Sequence, residues 1–418
     1  MKPTASLHDN PVLFGRDDRT GIIAAELVPG DDRTVRVFLR EDSRLKSVAQ
    51  AFEPFLWLAD AALLNTWAGK ARIEQLQGSG ELRYLVTFRS WADFLSARKH
   101  LTQVANSTPA SPDAPFYWLN DPIAQHLMRT GQTSFKGMQF EDLRRLQLDI
   151  ETCTGEGYEF SSAERAEDRI VLIALADNTG WETTLTGDEK EMLRQLVEIL
   201  GVRDPDVIEG HNLFKFDLPY IEARARRHRI QLAVGRDGSA PGSYPSRVQI
   251  AERTIHYPKY EIFGRHVVDT YLLAQFYDVS TRELESFGLK EVAQHFGLAS
   301  KGRTYLEPSE IPKLAEAGAA GLEKLARYAL DDVRETRALA ALLSPSYFVQ
   351  AQMFPYAYQN IVVRGNATKI DALLVREYLH RRHAIPRPEP ARPYEGGYTD
   401  IFHEGVAQNV WHCDVASL

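Results

Sequence analysis

The sequence predicts an α/β protein, a mixed central sheet flanked by helices, preceded by a smaller mixed α+β domain. Three observations carry this. From Leu143 onward, apolar strand-like runs alternate with helix-length amphipathic stretches, the pattern that layers helices on a central sheet. Before about residue 120, strand-like pieces such as TGIIAAELV, TVRVFLR and ELRYLVTF are interrupted by short helical stretches such as SWADFLSARKHL. Finally, 418 residues exceed one ordinary core, and at about 150 residues per domain two or three domains are expected.

The elements follow in order. The Ser-, Pro- and Asp-rich run NSTPASPDAP at 106–115 punctuates the first domain, whose boundary is expected between there and about 140, giving an N-terminal domain over 1–140. The second domain, 141–343, then reads as LRRLQLDIET, RIVLIALADN, a helix around KEMLRQLVEILG, the strand VIEGHN, and a helix from about Leu218 to His228. GRDGSAPGSYPS at 235–246 is a turn-rich excursion before HVVDTYLL resumes. A long helix, roughly Gly321 to Leu343, closes the domain, with Ser344-Pro345 as its stop. Residues 344–393 read as helical patterns running into the proline-rich linker IPRPEPARP at 385–393, and 394–418 begin with YEGGYTD.

Composition narrows the class. With 44% hydrophobic and 25% charged residues and a mean hydropathy of -0.32, the chain reads as soluble and globular. It has neither an apolar run of membrane-crossing length nor a signal-peptide h-region at its start, so a cytoplasmic location is expected. Two cysteines, Cys153 and Cys413, are too few for a disulfide framework or a structural zinc site. A formal charge of -8 does not exclude nucleic acid, because acids gathered in a metal site leave basic patches free elsewhere.

The chemistry concentrates in LQLDIET. Asp149 and Glu151 are two apart on a strand, so their carboxylates share a face, and two such groups side by side are most economically held by a divalent cation. Alone the pair is weak: with 57 acids in 418 residues, roughly eight pairs at this spacing arise by chance. Partners lie in GHNLFKFDLPYI, where Asp217 follows Asn212 and Phe216 at a helix start, and in YALDDVRET, where Tyr328 and Asp332 share a helix face. Taken singly, Asp217 reads as a helix cap, Phe216 as a core residue and Asp331 as ordinary surface. Taken in order, the three segments supply four carboxylates and a phenol, the set two Mg2+ or Mn2+ ions need to grip one phosphodiester. The run RARRHR at 224–229 reads as a solvated helix end and stays outside the site.

D-x-E on a strand, N-x-x-x-F-D at a helix start and Y-x-x-x-D on a later helix resemble, in order and spacing, the motifs of the 3'-to-5' proofreading exonuclease domain of family B DNA polymerases. Further similar stretches are FEPF at 52–55, DPIAQHLMRTG at 121–131, VGRDGS at 234–239, YEGGYTD, like the Tyr-x-Gly-Gly motif that joins exonuclease and polymerase modules, and CDVASL, like the start of the first polymerase motif with Asp414 at its aspartate. The resemblance implies a ribonuclease H-like domain, with Asp149, Glu151, Asp217 and Asp332 as ligands of two divalent cations and Tyr328 completing the catalytic set. It also implies Asn212, Phe216, Tyr394, Gly396 and Gly397 as DNA contacts. The expected substrate is DNA with single-stranded or frayed 3' ends, the expected product a nucleoside 5'-monophosphate, and the expected state a monomer. Because the sequence stops inside the first polymerase motif, nucleotide incorporation is expected to be absent from this chain. The alternatives are a stand-alone exonuclease acting in repair or RNA turnover, and a catalytically silent nucleic-acid-binding fragment.

Overall fold

A computed structural model describes residues 10–41, 44–299, 302–387, 400–401 and 403–411. After the short α1 (Pro11–Phe14), the antiparallel strands β1 (Ile22–Leu27), β2 (Thr34–Glu41) and β3 (Arg44–Ala51) form one sheet. Strand β3 is exposed almost throughout, and its Arg44, Lys46 and Gln50 suit an edge that must not recruit another strand. A second sheet holds β4 (Phe55–Leu58), β5 (Arg72–Gln75), β6 (Tyr84–Thr87) and β7 (Phe116–Tyr117) in the order β5-β6-β4-β7. Strand β4 is buried on both faces: by alternation, Leu56 and Leu58 face α2 (Trp91–Val104) while Phe55 and Trp57 enter the core shared with the rest of the protein. Helix α3 (Pro122–Thr130) follows, capped by Asp121, which accepts from the Ile123 and Ala124 N–H groups.

The central sheet comprises β8 (Arg145–Thr152), β9 (Ile170–Asp177), β10 (Glu182–Thr186), β11 (Val207–Gly210) and β14 (His266–Asp269) in the order β10-β9-β8-β11-β14. Only β9 runs against the others. Helices α4 (Glu189–Arg203) and α5 (Asp217–Arg227) cover the face bearing Leu146, Leu148 and Ile150. The opposite face carries Val171, Leu172 and Ala174 and is covered by α8 (Ile311–Glu316) and the long α9 (Gly318–Leu343). Between β11 and β14 an antiparallel hairpin, β12 (Gly242–Ile250) with β13 (Arg253–Glu261), extends from the sheet. After β14 come α6 (Thr270–Thr281) and α7 (Leu289–His295).

Past α9, α10 (Pro345–Met353), α11 (Tyr358–Val363) and α12 (Asn366–His380) pack back on the start of the chain. Arg376, fully buried, donates to the carbonyls of Val12 (2.8 Å) and Leu13 (3.0 Å), while Phe348 stacks on Phe135 and Tyr358 meets it edge-on. Among the described residues, no helix is long and apolar enough to cross a membrane. The stretch 394–399 with Tyr394, Gly396 and Gly397, and residues 412–418 with Cys413 and Asp414, lie outside the described residues.

Two expectations need correction. Only the first part of the excursion at 235–246 is a lead-in; from Gly242 on it is already the nine-residue hairpin arm Gly242–Ile250, whose other arm carries the alternation RTIHY. The basic run 224–229 is not uniformly solvated. Arg226 and Arg227 are exposed, but Arg224 is 2% exposed and donates to both oxygens of Glu189 at 2.7 Å and to the carbonyls of Ala163 and Arg165. That arrangement fastens the loop following β8 to α4 and α5.

The first sheet meets the central one through a buried ion network. Arg40 of β2 donates to Asp204 (2.7 Å) and Asp206 (2.8 Å), and Arg236 and Arg265 close on the same two acids. The Asp206 side chain is 0% exposed and also accepts the Arg144 N–H. Asp206→Ala should therefore destabilise the protein by about 3–5 kcal/mol, because it leaves two buried guanidinium groups short of an acceptor; chemical denaturation giving a loss below about 1 kcal/mol would contradict the interlocked reading.

Candidate active site

The alternation of β8 places Arg145, Gln147, Asp149 and Glu151 on one face, towards β11 and α9, and along that face the electrostatics change character. At its start, Glu209 of β11 is buried but matched, accepting from Gln147 Nε2 at 2.6 Å and from Arg145 Nη1 at 3.2 Å. Two residues on, the acids come from the strand itself, and α9 brings another acid rather than a base. Carboxylate oxygens of Asp149, Glu151 and Asp332 lie within 4.8 Å of one another. Glu151 and Asp332 are buried and Asp149 is partly open to solvent.

Asp217 joins from the other side of the sheet edge. It stands in the first turn of α5, whose cap position is Phe216 with no side-chain cap hydrogen bond. The Asp217 carboxylate accepts the Ile150 N–H at 3.2 Å, so the acid reaches across to β8 instead of capping its own helix. What holds it there is Asp269, at the end of β14. Its carboxylate accepts from the backbone N–H groups of Asn212 (2.8 Å), Phe214 (3.1 Å) and Tyr271 (3.0 Å), capping α6 and pinning the loop before α5 in one stroke. Asn212 within that loop has φ of +65°, a conformation asparagine tolerates better than most residues. Phe216 is half-buried at the rim of the core, with Tyr220 at 5.4 Å.

Tyr328 lies one turn before Asp332 on the inner face of α9, is buried, and hydrogen-bonds Asp332. The Lys290 ammonium sits 4.8 Å from its ring centre. Asp331 is buried as well, contrary to the surface position expected for it: it accepts the Thr304 N–H at 3.1 Å and is bonded by Arg334 at 3.2 Å. The loop it anchors carries Arg303, whose Nη2 reaches Asp332 at 2.6 Å and Glu335 at 3.2 Å. Arg303, Lys290, Glu335 and Asp269 are absent from the sequence-derived set. Asp269 alone has a local signal, an acid immediately before a helix start; the others are brought in by tertiary packing.

Burial and mutual repulsion push every acid of the group upward. Asp149 and Glu151 titrate well above the ordinary carboxylate range, through burial first and then the charge on Asp332. Asp217 is pushed up to about 8, chiefly by burial, and Asp332 to about 6, burial there being opposed by Arg303 and Lys290. Burial and the same acids also push the Tyr328 phenol upward, so it stays protonated and acts as a donor. A set of oxygen donors this close, raised because charge is unmatched, fits a hard divalent cation.

Residues 179–292 match the family described as DNA polymerase family B, exonuclease domain. The chain is 30% identical over 283 residues to a DNA polymerase of Archaeoglobus fulgidus, covering 67% of this chain and 33% of the relative. It is 28% identical over 317 residues to DNA polymerase 1 of Pyrococcus abyssi, covering 71% and 38%. The match thus spans about a third of the length of these two relatives. In fold it is similar to the solved structure of the family B DNA polymerase from the hyperthermophilic archaeon Pyrobaculum calidifontis, with a TM-score of 0.67 and 21% identity over 89% of this chain and 51% of that one. The central sheet, with its second strand reversed, is ribonuclease H-like.

The raised acids set a pH dependence for the metal-free protein. Their folded values lie above the ordinary carboxyl value near 4, so their stabilising contribution is complete below about pH 4 and lost as pH rises through about 6 to 8. In EDTA the melting temperature should fall by about 5 °C or more between pH 5 and pH 9, and Mn2+ should restore most of it at the upper end. A flat profile in EDTA would mean that the acids are already neutralised within the fold.

Proposed function

This chain belongs to the family B DNA polymerases and carries their exonuclease domain, and we propose on that premise that it hydrolyses the 3'-terminal phosphodiester of DNA in the 3'-to-5' direction. The single observation that carries the reading is the convergence of the Asp149, Glu151 and Asp332 carboxylates within 4.8 Å. Asp217 and Tyr328 stand beside that group. Mg2+ or Mn2+ held by these four acids would supply a nucleophile near neutral pH and charge to offset the phosphate and the departing 3' oxygen. The product would be a nucleoside 5'-monophosphate.

The chain's own residues do the rest. Tyr328, kept protonated, orients the attacking water through its hydroxyl and does not remove its proton. Asn212 and the solvent-facing part of Phe216, on the loop that Asp269 pins, are contacts for the terminal nucleotides by hydrogen bonding and stacking. Tyr394, Gly396 and Gly397, outside the described residues, are proposed backbone contacts to DNA. A site this far inside the fold admits a strand end only after unstacking, which favours single-stranded and mismatched termini. In this reading 1–140 is the N-terminal domain, 141–343 the exonuclease domain, 344–393 a helical segment with its linker, and 394–418 the entry to the polymerase palm. A stand-alone nuclease is disfavoured by the two N-terminal sheets and by α12 packing against α1.

The test is degradation of a 5'-labelled oligonucleotide. In Mg2+ a ladder should shorten from the 3' end, faster on single-stranded or mismatched termini than on paired ones, and disappear in EDTA or in Asp149→Ala. Tyr328→Phe should lower kcat by about a hundredfold with little change in KM, since water placement is lost while binding is kept. Equal rates on paired and unpaired ends, or undiminished cleavage by Asp149→Ala, would contradict the reading.

A further inference from the structure

Arg303 is 1% exposed at its side chain and belongs to the loop Gly302–Leu306 between α7 and α8. Its neighbours give it a fixed place: Asp331 accepts the adjacent Thr304 N–H at 3.1 Å, and Leu306 is buried in the core beneath α9. From there Nη2 bonds Asp332 Oδ1 at 2.6 Å and pairs with Glu335 Oε2 at 3.2 Å. Its Nε and Nη1, and both oxygens of Glu335, are buried with no hydrogen-bond partner. A guanidinium has five donors in a rigid fork, so leaving most of them buried and unused is costly. The arrangement makes sense as charge compensation. Among the described residues, the carboxyls of Asp149, Glu151, Asp332 and Glu335 crowd this end of the sheet with Asp217 beside them, and Arg303 and Lys290 are cations that oppose the first four.

We propose that Arg303 is a built-in counter-ion of the acidic centre that competes with a divalent cation for Asp332, and that Glu335 is the holder to which Arg303 is handed when Asp332 turns to the ion. The proposal rests on the reading of Asp332 as a metal ligand. A carboxylate oxygen engaged at 2.6 Å by a guanidinium has less to offer a cation, and two positive charges on one carboxylate repel. Glu335 lies one turn beyond Asp332 on nearly the same helix face, so a small swing of Nη2 keeps Arg303 paired while freeing Asp332. Arg303 and Glu335 are positioning residues: they act on the reaction through Asp332. The arrangement keeps the metal-free centre from carrying its full negative charge, and it sets the metal affinity below what the bare acids would give.

Calorimetric titration with Mn2+, without DNA, tests this in the full chain. Arg303→Met should bind Mn2+ about tenfold more tightly than wild type, and Glu335→Gln about tenfold more weakly. In the Arg303→Met background the Glu335→Gln effect should shrink, because its holding role is gone. Lys290→Met removes a nearby charge that does not contact Asp332 and should change affinity less than Arg303→Met. If Arg303→Met is recovered only with Mn2+ present, Arg303→Lys serves instead: the ammonium keeps the charge but lacks the planar fork, and tighter binding than wild type is still expected. Unchanged or weaker Mn2+ binding in the Arg303 variants, or an equal gain in Lys290→Met, would overturn the competition. Asp332→Asn separates the two readings. If it binds Mn2+ as wild type does, Asp332 is no ligand and both fall; if it loses binding while the Arg303 variants match wild type, only the counter-ion inference falls.

Discussion

More negative charge is buried at the end of β8 than the fold can neutralise, and the rest of the site is arranged around that imbalance. The contrast lies on one face of one strand. Glu209 is also deeply buried, and burial holds its carboxyl above the usual range, yet Arg145 and Gln147 both bond it and oppose that shift. Asp149 and Glu151, on the same face, meet Asp332 and Asp217 instead. Repulsion in a region of low dielectric would drive these elements apart unless protons, an internal cation or a metal ion intervened. Each of those three answers has its place here: raised proton affinities, Arg303 and a cluster of oxygen donors.

The topology explains why the acids meet where they do. The parallel strands β8, β11 and β14 end on the same edge of the sheet, and the chain leaves each of them there. Glu151 lies near the end of β8, Asp217 in the helix that follows β11, and Asp269 at the end of β14. In open α/β sheets the carboxyl ends of strands form a natural crevice for a ligand. Helix α9 completes the crevice by crossing that face with Tyr328 and Asp332 turned inward. Asp269 acts through the backbone: it accepts the N–H groups of Asn212 and Phe214 in the loop before α5 and of Tyr271 in α6, and so fixes where that loop delivers Asp217. The first N-terminal sheet is fastened to this scaffold, since Arg40 ties it to the turn leading into β11.

Much of this was legible in the residues. The strand with D-x-E, the helix start with Asp217 and the helix face with Tyr328 and Asp332 follow from periodicity alone, because each motif lies within one element. The order of elements likewise identified an α/β domain. What could not be read was pairing between distant segments. Arg224 looks solvated in a basic run, and only the fold shows it meeting Glu189. Asp331 looks like surface beside Asp332, yet Thr304 and Arg334 occupy it. Arg303 sits in a loop with no distinguishing pattern. The hairpin β12–β13 was obscured by its own prolines, Pro245 and Pro258, which face each other in the ladder and weaken the strand signal.

The most direct measurement of the central claim is the position of the ion. Crystals of the full chain soaked in Mn2+ and measured for anomalous scattering should give a peak among the carboxylates of Asp149, Glu151 and Asp332, with Arg303 moved from Asp332 towards Glu335. A peak confined to other acids, or saturating Mn2+ with none at this position, would contradict the account.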